Sequence, residues 1–149
     1  MTPKIIYMTN IDRRYFMMRR ALDELIADGE MPASSQVIKT EDGSAWSASW
    51  EEKLRGSALV MIRFMGNTIR TKFWTACMHF LSREGIPYYM DAAGSAEEEC
   101  IERVAAKDIE AMKAYSFYGG LTNYKNLWLY VRSLFDQGAP YAEPPSPIC

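Results

Sequence analysis

Histidine and cysteine, which often bind metals or act as catalytic nucleophiles and bases, are scarce in this chain of 149 residues. The single histidine, His79, has no neighbours in a zinc-ligand or catalytic-triad arrangement, so we expect it to face solvent without a chemical role. Cys77, Cys100 and Cys149 are an odd number without paired spacing. This pattern predicts reduced thiols in a cytoplasmic protein.

Several nucleotide- and cofactor-binding motifs are also missing. The sequence has no Gly-x-x-x-x-Gly-Lys loop and no Gly-x-Gly-x-x-Gly turn, which argues against ATP or NAD chemistry within this chain. A predicted strand ends in Arg63, where a signalling receiver domain would carry its phospho-accepting aspartate. The Asp-x-His-x-x-Gly pattern of cobalamin-binding modules is absent, because Cys77 lies two residues before His79. We therefore expect no cofactor in this chain.

Neither a positive charge excess nor a long apolar run is present. The net charge is −2 and the basic residues are scattered, whereas nucleic-acid binders usually carry a basic patch. No apolar run approaches the roughly 20 residues that span a bilayer, and the N-terminus shows no signal-peptide pattern. We expect neither nucleic acid nor a membrane as a partner.

The composition is that of an ordinary globular domain, with 48% hydrophobic and 24% charged residues. Residues 1–138 are predicted to form a single α/β domain. Residues 139–149 differ, because four of these eleven residues are proline. They are predicted to be an extended linker or the start of a further domain.

Short apolar stretches alternate with helical periodicity along the chain. Residues 57–66 are apolar on both faces, as in a central parallel strand covered by helices. Residues 4–9, 36–40 and 86–90 are the other predicted strands. The alternation predicts a three-layer α/β fold, with a mostly parallel four-stranded (flavodoxin/Rossmann-like) sheet, helices on both faces and a C-terminal helical segment.

Helix ends follow from capping residues and glycines. Asp12 is the predicted N-cap of a first helix that Gly29 closes. A short helix carries Trp46, Trp50 and Leu54 on one ridge, where packing against the sheet is favoured over stacking on a flat ligand. The further predicted helices cover residues 71–84, a stretch opened by a capping box at 95–98, residues 107–118, and a last helix capped by Thr122 or Asn123 that reaches about residue 136.

Arginines on the first helix have two interpretations. Arg13, Arg14, Arg19 and Arg20 could bind a phosphate as two adjacent pairs. A solvated helix face is favoured, since all four fall mostly opposite the apolar side.

Polar residues follow three predicted strands, at the edge where open α/β sheets bind ligands. Asn10 follows the first strand, Arg63 ends the third and Asp91 follows the fourth. Arg63 could form a bidentate pair with a ligand carboxylate, worth roughly 1.5–3 kcal/mol. It could equally pair internally with Asp12 or Asp91, or with another domain.

Two adjacent glycines separate the last two helices. Gly119 is expected to take a positive φ that ends one helix, and Gly120 to allow a close backbone approach. Exposed amides at the start of the next helix could bind a substrate carboxylate. They could also bind a carbonyl of a following domain, which is the favoured role.

Two segments carry a resemblance to a known family. Residues 59–66 and the pattern Tyr-x-x-x-Gly-Gly-x-x-Asn-x-x-Asn-Leu, formed by Tyr115, Gly119, Gly120, Asn123, Asn126 and Leu127, precede a proline-rich passage at 140–147. Over about residues 4–147 the chain resembles the N-terminal part of the large subunit of CobN-type aerobic cobaltochelatase. It is also similar to the related magnesium-chelatase H subunit.

The resemblance implies a part in inserting cobalt or magnesium into a tetrapyrrole during cobalamin biosynthesis or a related pathway. It implies ATP and Mg on separate AAA-type ATPase subunits, with the downstream domains of the large subunit and possibly a tetrapyrrole as further partners. The metal-insertion centre is expected downstream, so this chain alone is not expected to be catalytic. The residues expected to line its contact surface are Asn10, Arg63, Asp91, Gly119, Gly120 and Asn123.

Two alternatives stay open. The polar edge could belong to a non-catalytic interaction module that packs on downstream domains or on an ATPase partner. A weaker alternative is an independent flavodoxin-like binder of small molecules, which rests on fold analogy alone.

Overall fold

The computed structural model describes residues 3–41, 45–64, 72–91 and 105–147. The helix predicted to open at residues 95–98 lies outside the described residues, as do Cys100 and Cys149.

The four predicted strands form one parallel sheet. They are β1 (Ile5–Thr9), β2 (Gln36–Lys39), β3 (Leu59–Arg63) and β4 (Tyr88–Met90), in the order β2-β1-β3-β4. The register aligns Thr9 at the end of β1 with Arg63 at the end of β3. The predicted parallel sheet is confirmed, and Arg63 lies at its carboxyl edge as expected.

Within the described residues, five helices connect and cover the strands. They are α1 (Asp12–Ala27), α2 (Ala48–Leu54), α3 (Lys72–Arg83), α4 (Ala106–Tyr118) and α5 (Gly120–Phe135). None of the helices in the described ranges is long and apolar enough to cross a membrane.

Alternate strand residues face two separate cores, which makes the fold three-layered. Ile5 and Tyr7 of β1 pack with residues of α1, α4 and α5 on one face. Ile6 and Met8 pack with residues of α2 and α3 on the other. Successive strand side chains point to opposite faces, and helices cover both, so every residue of β1 is buried. The predicted α/β fold with a C-terminal helical segment is confirmed.

The helix starts differ from two predictions. Asp12 is the first residue of α1 and does not cap it; its carboxylate pairs with Lys39 of β2 instead. Neither Thr122 nor Asn123 caps α5, because the helix already begins at Gly120 and Gly119 is its N-cap. Gly119 has φ 68°, a conformation that glycine adopts without steric cost, and this confirms its predicted role.

Trp46 and Trp50 are partly buried against the core formed by the sheet, α2 and α3, in agreement with the favoured packing role, although Trp46 precedes α2 rather than sharing a ridge within it. Their rings stack at 6.5 Å and both meet Phe73 of α3 edge-on. On α3, His79 is exposed as predicted, whereas Cys77 is fully buried. Burial raises the pKa of the Cys77 thiol to about 12, so it is an unreactive core residue at neutral pH.

Trp128 of α5 joins three elements in the larger core. Its ring is fully buried, lies 6.5 Å from that of Tyr7 on β1, and its Nε1 donates to the Met18 carbonyl of α1.

We expect Trp128→Ala to lower the free energy of unfolding by about 3–5 kcal/mol, measured by urea titration, because it empties this junction. Phe16→Ala is the control: Phe16 is 64% exposed, so its truncation should change stability by about 0.5 kcal/mol or less.

Candidate functional site

A cleft of about 530 Å³ opens at the carboxyl edge of the sheet. The start of α1, the end of β3 and the junction between α4 and α5 line it. In a parallel sheet each strand ends, and the helix after it begins, at this same edge. Its charged, aromatic and glycine lining residues include Arg13, Arg14, Arg63, Phe117, Tyr118, Gly119, Gly120 and Tyr124.

Arg63 extends from the end of β3 into this cleft. Its Nη1 donates to the Asp91 carbonyl at 3.2 Å, while its buried Nε has no hydrogen-bond partner among the residues that the structure describes. The internal ion pairs considered for Arg63 are not observed in the described part of the chain, since the Asp12 carboxylate pairs with Lys39 and that of Asp91 with Arg14. Arg63 is half-buried and lines the cleft, and a guanidinium in this position is suited to receive a carboxylate.

The Asp91 carboxylate is held beneath the cleft and is only 1% exposed. Tyr7 of β1 donates to its Oδ2 at 2.5 Å and Ser116 of α4 donates to the same oxygen at 2.8 Å. Arg14 Nη1 lies 3.8 Å from that oxygen and donates to Ser116 Oγ at 2.6 Å. A buried charge needs such partners, and together they join β1, α1 and α4.

The protonation state of Tyr7 follows from its burial beside the Asp91 carboxylate. Burial raises the pKa of Tyr7 well above its usual value, and the Asp91 carboxylate raises it further. Tyr7 is therefore a neutral donor at physiological pH. The Arg14 guanidinium also lies over the Tyr124 ring, 5.1 Å from its centroid, which adds a cation–π contact.

Arg14 departs from the favoured prediction of a solvated arginine face. Arg19 and Arg20 are exposed and pair along the helix with Asp23 and Glu24, as that prediction expects. Arg14 instead has a side chain only 15% exposed and turns toward α4 and α5. The sequence held one indication of this orientation. Arg14 lies in the first turn of α1, shortly after β1, and that turn lies at the edge of the sheet where open α/β folds bind ligands.

The α4–α5 junction forms the aromatic and glycine rim of the cleft. Phe117 is 72% exposed and Tyr118 38% exposed, with ring centroids 5.8 Å apart. A Cβ at Gly119 would lie 3.3 Å from the Tyr124 hydroxyl, so a larger residue would crowd the rim in addition to straining its backbone. Sequence reasoning identified the glycines but not the two exposed rings.

Asn123 lies behind this rim and is only 3% exposed. Its Nδ2 donates to the Gly119 carbonyl at 2.7 Å and to the Ser146 carbonyl at 2.9 Å. It thus links the proline-rich segment to the rim residue Gly119, although Asn123 is not itself a lining residue of the cleft. Residues 139–147 have no helix or strand, and the domain boundary at residue 138 stays a prediction.

The six predicted contact residues therefore occupy three kinds of position. Arg63, Gly119 and Gly120 line the cleft. Asp91 and Asn123 are buried beside it and orient cleft residues. Asn10 is half-buried directly after β1, next to the cleft residue Ile11. Direct ligand contact by any of the six stays a prediction.

The described residues that line this cleft include no set of metal ligands. Within the four described ranges, no group of three or more histidine, cysteine or acidic side chains could hold a metal ion. The cleft is lined by arginine, aromatic and apolar side chains, which suit an anionic and partly flat ligand.

Comparison with known proteins gives one informative match. No family model and no curated protein matches the sequence. Among solved structures, the catalytic subunit of cobaltochelatase from Mycobacterium tuberculosis matches with a TM-score of 0.68 at 15% sequence identity. The alignment covers 99% of this chain but 12% of that one. This likeness establishes a shared fold, and the chain spans only a small part of the larger protein.

Replacing Asp91 tests whether its buried carboxylate holds the site together. Asp91→Asn keeps the size but removes the charge that Tyr7, Ser116 and Arg14 share. We expect it to cost about 1–3 kcal/mol of unfolding free energy in chemical denaturation. Asp23→Asn, which breaks the exposed pair with Arg19, is the matched control and should cost less than about 1 kcal/mol. Equal effects of the two changes would contradict a structural role for Asp91.

Proposed function

We propose that this chain is a domain of a cobaltochelatase-like large subunit that helps to hold an acidic tetrapyrrole for metal insertion. The single observation that carries the proposal is the cleft with Arg63 at its base. Arg13 and Arg14 bring two more guanidinium groups to the same cleft. The carboxylate side chains of a corrinoid or porphyrin precursor are the chemical complement of this cluster.

The surroundings of the arginines support the same ligand class. Exposed Phe117 and Tyr118 offer flat apolar surface beside the charges, and a tetrapyrrole combines a flat ring with acidic side chains. Arg14 is partly neutralised by Asp91, whereas Arg63 has no acidic partner among the described residues. Arg63 is therefore the main anion-binding group in this proposal.

The domain would bind and orient rather than catalyse. Cobalt or magnesium would be a substrate of the whole assembly, and ATP with its Mg would be bound by AAA-type ATPase partner subunits. The metal-insertion centre would lie in further domains of the large subunit. The similarity in fold to the cobaltochelatase catalytic subunit supports this assignment.

A second candidate function is docking of a protein surface, either a downstream domain or an ATPase subunit. The observation that favours it is Phe117, a large apolar side chain that is 72% exposed. An acidic side chain of the partner would then occupy the cleft beside it. The two functions differ in whether the free domain binds a small anion.

The binding proposal is tested by titrating the domain with a carboxylate-bearing porphyrin and following its visible absorption. We expect saturable binding by the parent protein and about tenfold or greater weakening in Arg63→Ala, because a charged hydrogen-bonded pair is worth roughly 1.5–3 kcal/mol. Arg83→Ala, which removes an exposed arginine of α3, should leave the affinity unchanged.

The methyl ester of the same porphyrin serves as a ligand control and should bind more weakly than the acid. No spectral change with the parent protein, or equal affinities of parent and Arg63→Ala, would contradict tetrapyrrole contact. Co-purification of the domain with separately expressed downstream domains would then favour the docking function.

A further inference from the structure

The proline-rich segment offers very few backbone donors. In residues 143–147, Glu-Pro-Pro-Ser-Pro, only Glu143 and Ser146 have an N–H group, because proline has none. Both N–H groups are bound by side chains of α5. The Glu143 amide donates to Asn126 Oδ1 at 2.9 Å, and the Ser146 amide donates to Asn123 Oδ1 at 3.1 Å.

The carbonyl groups of the same two residues are bound as well. Asn123 Nδ2 donates to the Ser146 carbonyl at 2.9 Å, and the Tyr115 hydroxyl donates to the Glu143 carbonyl at 2.5 Å. Asn123 thus binds both backbone groups of Ser146. An asparagine amide has a donor and an acceptor on one planar group, so it can satisfy both at once, which a carboxylate or an apolar side chain cannot.

The pairing of the two asparagines with the two N–H groups sets the direction of the segment. Asn123 and Asn126 are three residues apart and lie on the same side of α5. The N–H groups of Glu143 and Ser146 are also three residues apart, which is one turn of a polyproline II helix and brings both to one side of the segment. Because Asn126 binds Glu143 and Asn123 binds Ser146, the segment runs antiparallel to α5.

The same side chain also reaches the cleft. Asn123 Nδ2 donates to the Gly119 carbonyl at 2.7 Å, in addition to its bond with Ser146. Gly119 lines the arginine cleft. A change in how Asn123 is held by the segment therefore acts directly on the rim of the cleft.

Tyr115, Asn123 and Asn126 are all buried, with exposures of 1%, 3% and 7%. The segment covers their polar atoms and also supplies hydrogen-bond partners for them, so these groups are buried without being left unpaired. These three residues are referred to below as the clamp.

We infer that the clamp is a binding site for an extended proline-rich backbone with two N–H groups three residues apart, and that its occupation by residues 143–146 fixes the Gly119 rim of the arginine cleft. The clamp itself stands on the contacts above; only its effect on ligand affinity rests on the proposed function. The tyrosine and the two asparagines of the pattern Tyr-x-x-x-Gly-Gly-x-x-Asn-x-x-Asn-Leu then have a physical role, because they form the clamp.

The test removes the two backbone donors without changing α4 or α5. The double variant Glu143→Pro/Ser146→Pro deletes both N–H groups, whereas Glu143→Ala/Ser146→Ala keeps them. Both side chains are exposed, so the alanine pair is a matched control. The substitutions lie outside helices and strands, and both proteins should retain the circular dichroism spectrum of the parent.

The readout is the NMR spectrum of the full chain. The proline pair should shift the side-chain amide signals of Asn123 and Asn126 and the backbone signals of Gly119 and Gly120, while the alanine pair leaves all of them in place. A synthetic peptide of residues 139–147 added to the proline pair should restore the parent positions. Unshifted asparagine signals would overturn the clamp, and shifted asparagines with unshifted glycines would overturn its coupling to the rim.

Affinity for the carboxylate-bearing porphyrin gives a separate readout. The proline pair should bind it at least about threefold more weakly than the alanine pair. If the parent protein does not bind the porphyrin, the proposed function fails, while the NMR shifts still decide the clamp. Equal affinities of the two variants, with binding by the parent, would overturn the effect of the clamp on the cleft.

Discussion

The buried carboxylate of Asp91 is the constraint on which the arrangement of the site depends. A charge that is 1% exposed must be paired and hydrogen-bonded, and its partners come from β1, β4, α1 and α4. Satisfying this one group fixes the start of α1 against the end of α4. Arg14 is thereby held at the side of the cleft, and the aromatic rim that follows α4 is placed opposite it.

The parallel sheet supplies the second part of the cleft. With β1 and β3 in register at their last residues, Arg63 emerges where the chain leaves the sheet. Arg63 has no acidic partner in the part of the chain that the structure describes, whereas Arg14 shares its charge with Asp91. Arg14 and Arg63 therefore have different roles in the same cleft. Arg14 is mainly structural, and Arg63 is available to an anion in the proposed function.

Local pattern predicted the strands, their parallel orientation and the position of Arg63, because burial on both faces and strand ends are visible in the sequence. It did not predict that Arg14 turns toward α4 and α5, or that Asn123 and Asn126 bind residues 143–146. A helical periodicity assigns a residue to one side of its own helix, whereas Arg14 is oriented by α4 and α5, more than 90 residues away along the chain. Asn123 and Asn126 interrupt the apolar face of α5 and bind residues 143–146. That segment has no helical or strand periodicity, so the sequence pattern did not predict where it lies.

The central claim, that Arg63 binds carboxylates in the cleft, is tested most directly by the Nε–H NMR signal of Arg63 during titration with a carboxylate-bearing porphyrin. Arg63→Lys, which lacks this N–H, identifies the signal. A saturable shift of that signal, together with shifts of Gly119 and Gly120, is the predicted result. Saturable binding that leaves the Arg63 signal unmoved, or shifts confined to the exposed faces of α2 and α3, would contradict the account.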